Sequence, residues 1–162
     1  MVREILKLGD SRLYAPSSEI GPHEGPEAAR IGEDLRDTMR AFRLRHGFGR
    51  AIAAPQIGEP RRVIYMDAGS PVLLINPELD FIGSEMMQIW DDCMCFPGLF
   101  VKLRRFAKVQ ARYRDENMQE CSMLLEGDLS ELIQHDYDHL DGILATMRAV
   151  DAKSFSLTKQ PL

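Results

Sequence analysis

The sequence predicts an α+β fold in which mainly antiparallel β-sheets pack around a metal-binding α-helix, with an additional helix near the N-terminus. Three observations carry this expectation. A helical apolar stripe precedes the strand-like segments, those segments are joined by connections too short for repeated crossover units, and a second helical stretch bearing two histidines follows them.

Pro16 to Pro26, which also holds Ser17, Ser18, Gly21 and Gly25, is expected to be an ordered loop. Glu27 to Arg45 is expected to be the first helix, because Ile31, Leu35, Met39 and Phe42 recur on one face. Val63 to Met66 and Val72 to Ile75 are short apolar runs bounded by Arg, Gly and Pro, and read as strands. Ala107, Val109, Ala111 and Tyr113 alternate with Lys108, Gln110, Arg112 and Arg114, the period of a strand with one wet face. Cys121 to Leu125 is its expected partner, reached through the polar turn Asp115 to Gln119. The DLSE that follows reads as a capping box, with Asp128 as cap and Glu131 three residues on. It opens a helix carrying Leu132, Ile133, His135 and His139, and Gly142 is placed to stop it.

The 162 residues fit one domain, residues 1–162, with no linker or internal repeat. A chain 44% hydrophobic and 28% charged has the make-up of a soluble globular protein. Its net charge of −5 argues against a nucleic-acid partner, leaving only local basic patches at Arg61 and Arg62 or Arg104 and Arg105. The charged start, with Arg3, Glu4, Lys7 and Asp10, has no apolar run of signal-peptide or membrane-helix length, so a cytoplasmic protein without a membrane partner is expected. Cys93, Cys95 and Cys121 are odd in number, and Cys93 and Cys95 are badly spaced to bridge each other, which makes them reduced thiols.

The chemistry concentrates in QHDYDHLDG, Gln134 to Gly142. Residues four apart on a helix share a face with Cβ atoms roughly 5–6 Å apart, so His135 and His139 could converge on one cation. By itself the pattern more often marks a polar surface face than a metal site, and a third ligand is needed. Cys93 is the best placed: it lies in WDDCMCFPG, where Phe96, Pro97 and Gly98 make a turn, although Cys93 and Cys95 could also be small half-buried fillers. Asp136 stands beside the first histidine, where a carboxylate can act as general base on metal-activated water. His23 and His46 lie in or beside expected loops and read as non-ligands.

Three ordered motifs, GRAIAAPQ at Gly49 to Gln56, DDCMC at Asp91 to Cys95 and HDYDHLDG at His135 to Gly142, resemble the GxGxAAxQ, EGCLS and HExDH motifs of peptide deformylases. That family of metallohydrolases removes the N-formyl group from new proteins. LINPEL at Leu74 to Leu79 and the FPG after the cysteines add to the likeness, which runs from about Ile5 to Phe155. The resemblance implies that Cys93, His135 and His139 hold one divalent ion, Fe2+ foremost, with Zn2+, Ni2+ or Co2+ as substitutes. It implies that the Gln56 side-chain amide and the Met94 backbone N–H face the formyl oxygen, and that Asp136 carries the proton. It further implies that a formylated peptide or nascent-chain N-terminus is the partner.

Several positions depart from the family pattern. Asp136 replaces glutamate, which withdraws the carboxylate by roughly 1.3 Å and leaves open a catalytically weak metal-binding protein. In the preferred ungapped alignment Arg50 stands at an apolar position and Ala51 at the second glycine. Taking Gly47 and Gly49 as the family glycines, followed by a two-residue insertion, instead leaves Arg50 in a loop. Asp91, Asp92 and Cys95 stand at Glu, Gly and Ser. Cys95 is either a serine-sized filler, a fourth ligand or a redox partner. Asp128 and Glu131 stand where the family is apolar around a methionine side chain. Either they are only the capping box, or with Arg50, Ala51 and Asp92 they form a polar substrate pocket in which Arg50 pairs one carboxylate and another formyl or acyl amide is taken. After Gly142 there is no long basic amphipathic helix suited to ribosomal RNA.

Overall fold

The computed structural model describes residues 1–158. Helix α1 (Gly25–His46) has Pro26 in its first turn, where a missing N–H costs nothing, and ends at Gly47, whose φ of 78° suits a glycine cap. The expected stripe is the buried one: Ile31, Leu35, Met39 and Phe42 all face the core.

Strands β1 (Ala51–Ala53), β2 (Val63–Asp67), β3 (Pro71–Phe81), β6 (Lys108–Arg114) and β7 (Glu120–Glu126) form an antiparallel five-stranded sheet in the order β1-β2-β3-β6-β7. A second antiparallel sheet, in the order β4-β5-β8, is made by β4 (Met86–Asp91), β5 (Phe100–Phe106) and β8 (Phe155–Ser156). Helix α2 (Asp128–Leu140) packs against β1, β2, β5 and β7, whereas α1 packs against β1 and β2. The two helices use alternate residues of the same strands. Ile52, Val63 and Tyr65 join the α1 core, while Ala51, Ala53, Ile64 and Met66 join the α2 core with Ile133 and Leu140. This is why Val63 to Met66 reads as an unbroken apolar run: the strand is buried on both faces.

The expected runs Val63 to Met66 and Val72 to Ile75 lie in β2 and β3, and the β6–β7 hairpin pairs in continuous register from Lys108 with Glu126 to Arg114 with Glu120. Strand β3 continues beyond Ile75 through a register shift, as Pro77 has no N–H to give to a ladder. Asn76 there takes φ 49°, and its side-chain amide both donates to and accepts from the Ile20 backbone at 2.8 Å, fastening the Pro16 to Pro26 loop to the sheet.

Three sequence expectations are corrected. Strands β4 and β5 were not expected; in β5 the inward positions are Val101, Leu103 and Arg105, and a charge on the buried face hides the alternation. No basic patch forms at Arg104 and Arg105, because Arg105 is only 3% exposed, and Arg61 and Arg62 are paired with Glu24, Glu27 and Asp141. The capping box at Asp128 and Glu131 is also absent. The cap is Gly127, at φ 60° and ψ −128°, a conformation open to glycine that lets the chain turn straight from β7 into the helix, so Asp128 is already helical. Among the described residues no helix is long and apolar enough to cross a membrane.

Gly142 closes α2 with φ 72°, and a Cβ added there would lie 2.4 Å from the Tyr14 carbonyl oxygen. Gly83 has a similar φ of 74° with nothing within 4 Å. Gly142→Ala is therefore expected to cost more than about 2 kcal/mol, against about 1 kcal/mol for Gly83→Ala. Urea unfolding of the two variants checks this, and equal losses would contradict the backbone contact.

Candidate metal centre

His135 and His139 sit one turn apart on the buried face of α2, with ring centroids 5.1 Å apart. Cys93 follows β4 in a tight turn, where Phe96 N–H donates to the Cys93 carbonyl at 3.1 Å. Pairing of β4 with β5, and packing of β5 on α2, carry this cysteine to the helix. Cys93 Sγ lies 3.4 Å from His139 Nε2, and one ligand-type atom from each of Cys93, His135 and His139 falls within 4.8 Å of the others.

Burial holds the Cys93 thiol well above its ordinary pKa, and nearby Cys95 adds to this. A coordinated cation reverses that balance, since a ligating thiol is deprotonated outright. Burial, then His135, pushes His139 well below the usual value, leaving a neutral imidazole with a lone pair to give. One thiol and two imidazoles in an enclosed site are a donor set suited to Zn2+ or Fe2+.

Behind the three residues lies a run of buried charges that sequence reading missed. Burial opposes charge on His135, but Asp91 Oδ2, 2.7 Å from His135 Nδ1, outweighs it and pushes the imidazole up to about 10. The bond engages Nδ1 and leaves Nε2 as the other ring nitrogen. Burial likewise works to raise Asp91, yet His135 and Arg105 hold it below the usual carboxylate range. Arg105 reaches Asp91 at 3.5 Å and also bonds Asp138, which accepts from Arg148 Nε and Nη2 at 2.6 and 2.7 Å. Asp91 and His135 are separated by 44 positions, so no local spacing signals the pair. Asp91, Glu131 and His135 also bring ligand-type atoms within 4.8 Å, but there His135 Nδ1 is already engaged by Asp91.

The other expected site residues gather around a cavity of about 280 Å³ beside these groups. Gln56, buried in a short 3-10 turn (Ala54–Ile57), accepts from Ala53 N–H at 2.7 Å. Its amide is thereby turned towards Cys95 Sγ at 3.5 Å and Cys93 Sγ at 3.7 Å. Cys95 is not part of the converging set; its backbone N–H donates to Cys93 Sγ at 3.4 Å. Met94 lines the cavity, and its carbonyl accepts from Lys7 Nζ at 3.3 Å. Asp136 also lines it, only 2% exposed, and burial pushes its carboxyl up to about 7.

Arg50, Ala51, Asp92 and Glu131 complete the wall. Arg50 bonds Asp128 at 2.7 Å and reaches Glu131 at 3.9 Å, the pairing of Arg50 with these acids that one of the two readings expected, but only Glu131 of the two acids lines the cavity. Asp128 itself, with its side chain 72% exposed, stands outside the cavity and holds Arg50. Burial, then Asp91, raises Glu131 to about 8; the same two causes raise Asp92.

Residues 2–155 match the family model of polypeptide deformylase. The chain is 36% identical over 169 residues to peptide deformylase 1 of Prochlorococcus marinus strain MIT 9313, covering 97% of this chain and 85% of that one. It is 34% identical to peptide deformylase 2 of Ralstonia nicotianae, with 98% and 93% covered. Among solved structures, the Thermotoga maritima peptide deformylase superposes with a TM-score of 0.83 at 29% identity, covering 93% of this chain and 99% of that one. The Synechococcus elongatus peptide deformylase, solved in complex with actinonin, gives 0.84 at 28% identity, with 93% and 80% covered.

Removing one partner from a buried ion network leaves charge uncompensated, and Arg105 serves two carboxylates. Arg105→Met is expected to destabilise the protein by about 3 kcal/mol or more. Urea unfolding with both proteins stripped by chelator keeps metal affinity out of the comparison. A loss below about 1 kcal/mol would mean that Arg105 does not hold the network together.

Proposed function

The chain belongs to the polypeptide deformylase family, and on that premise we propose that it hydrolyses the formamide at the N-terminus of formylated peptides, N-formylmethionyl nascent chains among them, as a single cytoplasmic domain spanning residues 1–162. The observation that carries this reading is the convergence of Cys93, His135 and His139 beside a cavity walled by Gln56 and Asp136.

In this reading Cys93, His135 and His139 hold one divalent ion, Fe2+ natively, with Zn2+, Ni2+ or Co2+ able to replace it. The ion supplies Lewis acidity and makes water nucleophilic at neutral pH. Gln56 Nε2 and the Met94 backbone N–H donate to the formyl oxygen as negative charge builds on it, and donors held in place for that moment are worth about 2.7–4 kcal/mol each. Asp136 takes a proton from water and passes it to the departing amine, so formamide and water become formate and a free N-terminus. Without an ion, burial raises the Asp136 carboxyl, and a cation beside His135 would draw it back towards the ionised form that accepts the water proton.

The direct test is formate release from formyl peptides by protein prepared anaerobically with iron. One ion per chain is expected by elemental analysis, and Cys93→Ala, His135→Ala and His139→Ala should each lose it. Full occupancy in any of the three would remove that residue from the ligand set.

Asp136→Asn should keep the metal and lower kcat by about 100-fold or more, with little change in KM. If one methylene limits its reach, Asp136→Glu should raise kcat. Equal turnover by the aspartate and asparagine proteins, both metal-loaded, would mean that Asp136 moves no proton in the slow step.

A further inference from the structure

Cys95 is buried, only 1% exposed, and in the reaction above it neither holds the ion nor moves a proton. Its place is nevertheless closely prescribed. The N-terminal segment stitches it to Gln56: Leu6 N–H donates to the Gln56 carbonyl at 2.8 Å, and two residues on Leu8 N–H donates to the Cys95 carbonyl at 3.0 Å. Two positions 39 apart in sequence are thereby set side by side, with Gln56 Nε2 3.5 Å from Cys95 Sγ.

A donor that stabilises charge in a transition state contributes most when it is already aimed. Gln56 Oε1 is tied to Ala53 N–H at 2.7 Å, which settles which end of the amide faces the sulfurs but leaves the group free to swing about that bond. Nε2 carries two hydrogens and lies between two acceptors, Cys95 Sγ and, at 3.7 Å, Cys93 Sγ. In the reading above Cys93 gives its sulfur to the ion. Cys95 is then the acceptor that remains for one Nε2 hydrogen, and the other is left for the formyl oxygen. Cys95 also touches the ligand, but through its backbone: its N–H donates to Cys93 Sγ at 3.4 Å, a bond that a change of the Cys95 side chain leaves in place.

We infer that Cys95 is a positioning residue, whose sulfur aims the Gln56 amide at the oxygen on which charge builds. The inference rests on the deformylase reading for what Gln56 donates to. Its nearest competitor is the serine-sized filler, and the two differ in what they require of the side chain. A filler needs volume, whereas a positioning residue needs an acceptor atom. Alanine and serine both shrink the side chain, but only serine keeps an acceptor.

The experiment measures formate release, counted per bound ion, for the wild type, Cys95→Ala and Cys95→Ser, each with Gln56 present or replaced by Gln56→Ala. Cys95→Ala should lower kcat by about tenfold or more with little change in KM, and Cys95→Ser should stay within about threefold of the wild type. In the Gln56→Ala background Cys95→Ala should cost nothing further, because the two residues act as one unit. Equal losses from alanine and serine would overturn the inference in favour of a filler, as would an alanine loss that is the same with and without Gln56. A second readout needs no turnover: exchange of the Gln56 side-chain N–H protons with solvent, followed by NMR in the Zn2+-loaded protein. Cys95→Ala should speed that exchange about tenfold or more, and Cys95→Ser should restore it. Unchanged exchange in Cys95→Ala, with turnover lost on Gln56→Ala, removes the inference and leaves the deformylase reading. If no protein releases formate, or Gln56→Ala costs nothing, the role given to Gln56 in that reading falls, and faster exchange in Cys95→Ala alone still shows that Cys95 holds the amide.

Discussion

Helix α2 buries Ser130, Gln134, His135, Asp136, Asp138 and His139, and a buried polar group left without a partner costs about 1–3 kcal/mol. Much of the surrounding architecture answers that cost. Gln134 exchanges hydrogen bonds with the Phe106 backbone at 3.0 and 2.8 Å, much as a neighbouring strand would, and Ser130 donates to the same carbonyl at 2.8 Å. His135 is met by Asp91 from β4, and Asp138 by Arg105 from β5 and Arg148 from the 3-10 turn that follows the helix. The β4–β5 sheet is thus a set of partners presented along one side of α2, while the other side of the helix packs its apolar residues on the larger sheet. Among the described residues the buried side-chain atoms without a hydrogen bond include His139 Nδ1 on this helix and Arg105 Nε on β5.

That division of labour brings distant parts of the chain together. The larger sheet is filled on both faces, by α1 and by α2, and β1 at its edge delivers Arg50, Ala51 and the turn that carries Gln56 to the cavity. The smaller sheet delivers Asp91, Asp92 and Cys93 from the end of β4. No single element contains the candidate site, and its geometry depends on how accurately α2 is seated between them. Gly127 and Gly142 fix the two ends of that seat, one by allowing the abrupt entry from β7 and the other by letting Tyr14 approach.

What was legible in the sequence follows from range. The α1 stripe and the β6–β7 hairpin are local patterns of period near four and period two, and both are in the fold. Histidines four apart announce a shared helical face, so the pairing of His135 with His139 was also readable, and the ordered motifs tied Cys93 to them. Strand β5 escaped because its third inward residue is arginine, and that arginine makes sense only once Asp91 and Asp138 are known to face it. The capping box at Asp128 failed for a related reason: the local pattern competed with a glycine one residue earlier, whose backbone freedom served the turn better. Asp128 and Glu131 were then free to engage Arg50, 78 residues away from Asp128, a pairing that the departures from the family motifs suggested and no local window of sequence could contain.

The network through His135, Asp91, Arg105, Asp138 and Arg148 is not explained by stability. Taking such charges out of water costs several kcal/mol per ion, and replacing a buried ion cluster with apolar residues of the same volume is often neutral or stabilising. An apolar cluster, however, cannot hold an imidazole in one orientation. Asp91 fixes His135 through Nδ1, Arg105 fixes Asp91, and Asp138 is itself held from both sides by Arg105 and Arg148. Outer partners of this kind set the ring orientation and basicity of a ligating histidine. The same arrangement explains why Asp91 stays ionised while Glu131, near it in the same cavity, is pushed up to about 8: the available cations are spent on the carboxylate that orients His135, and the next one is left to face whatever enters the cavity.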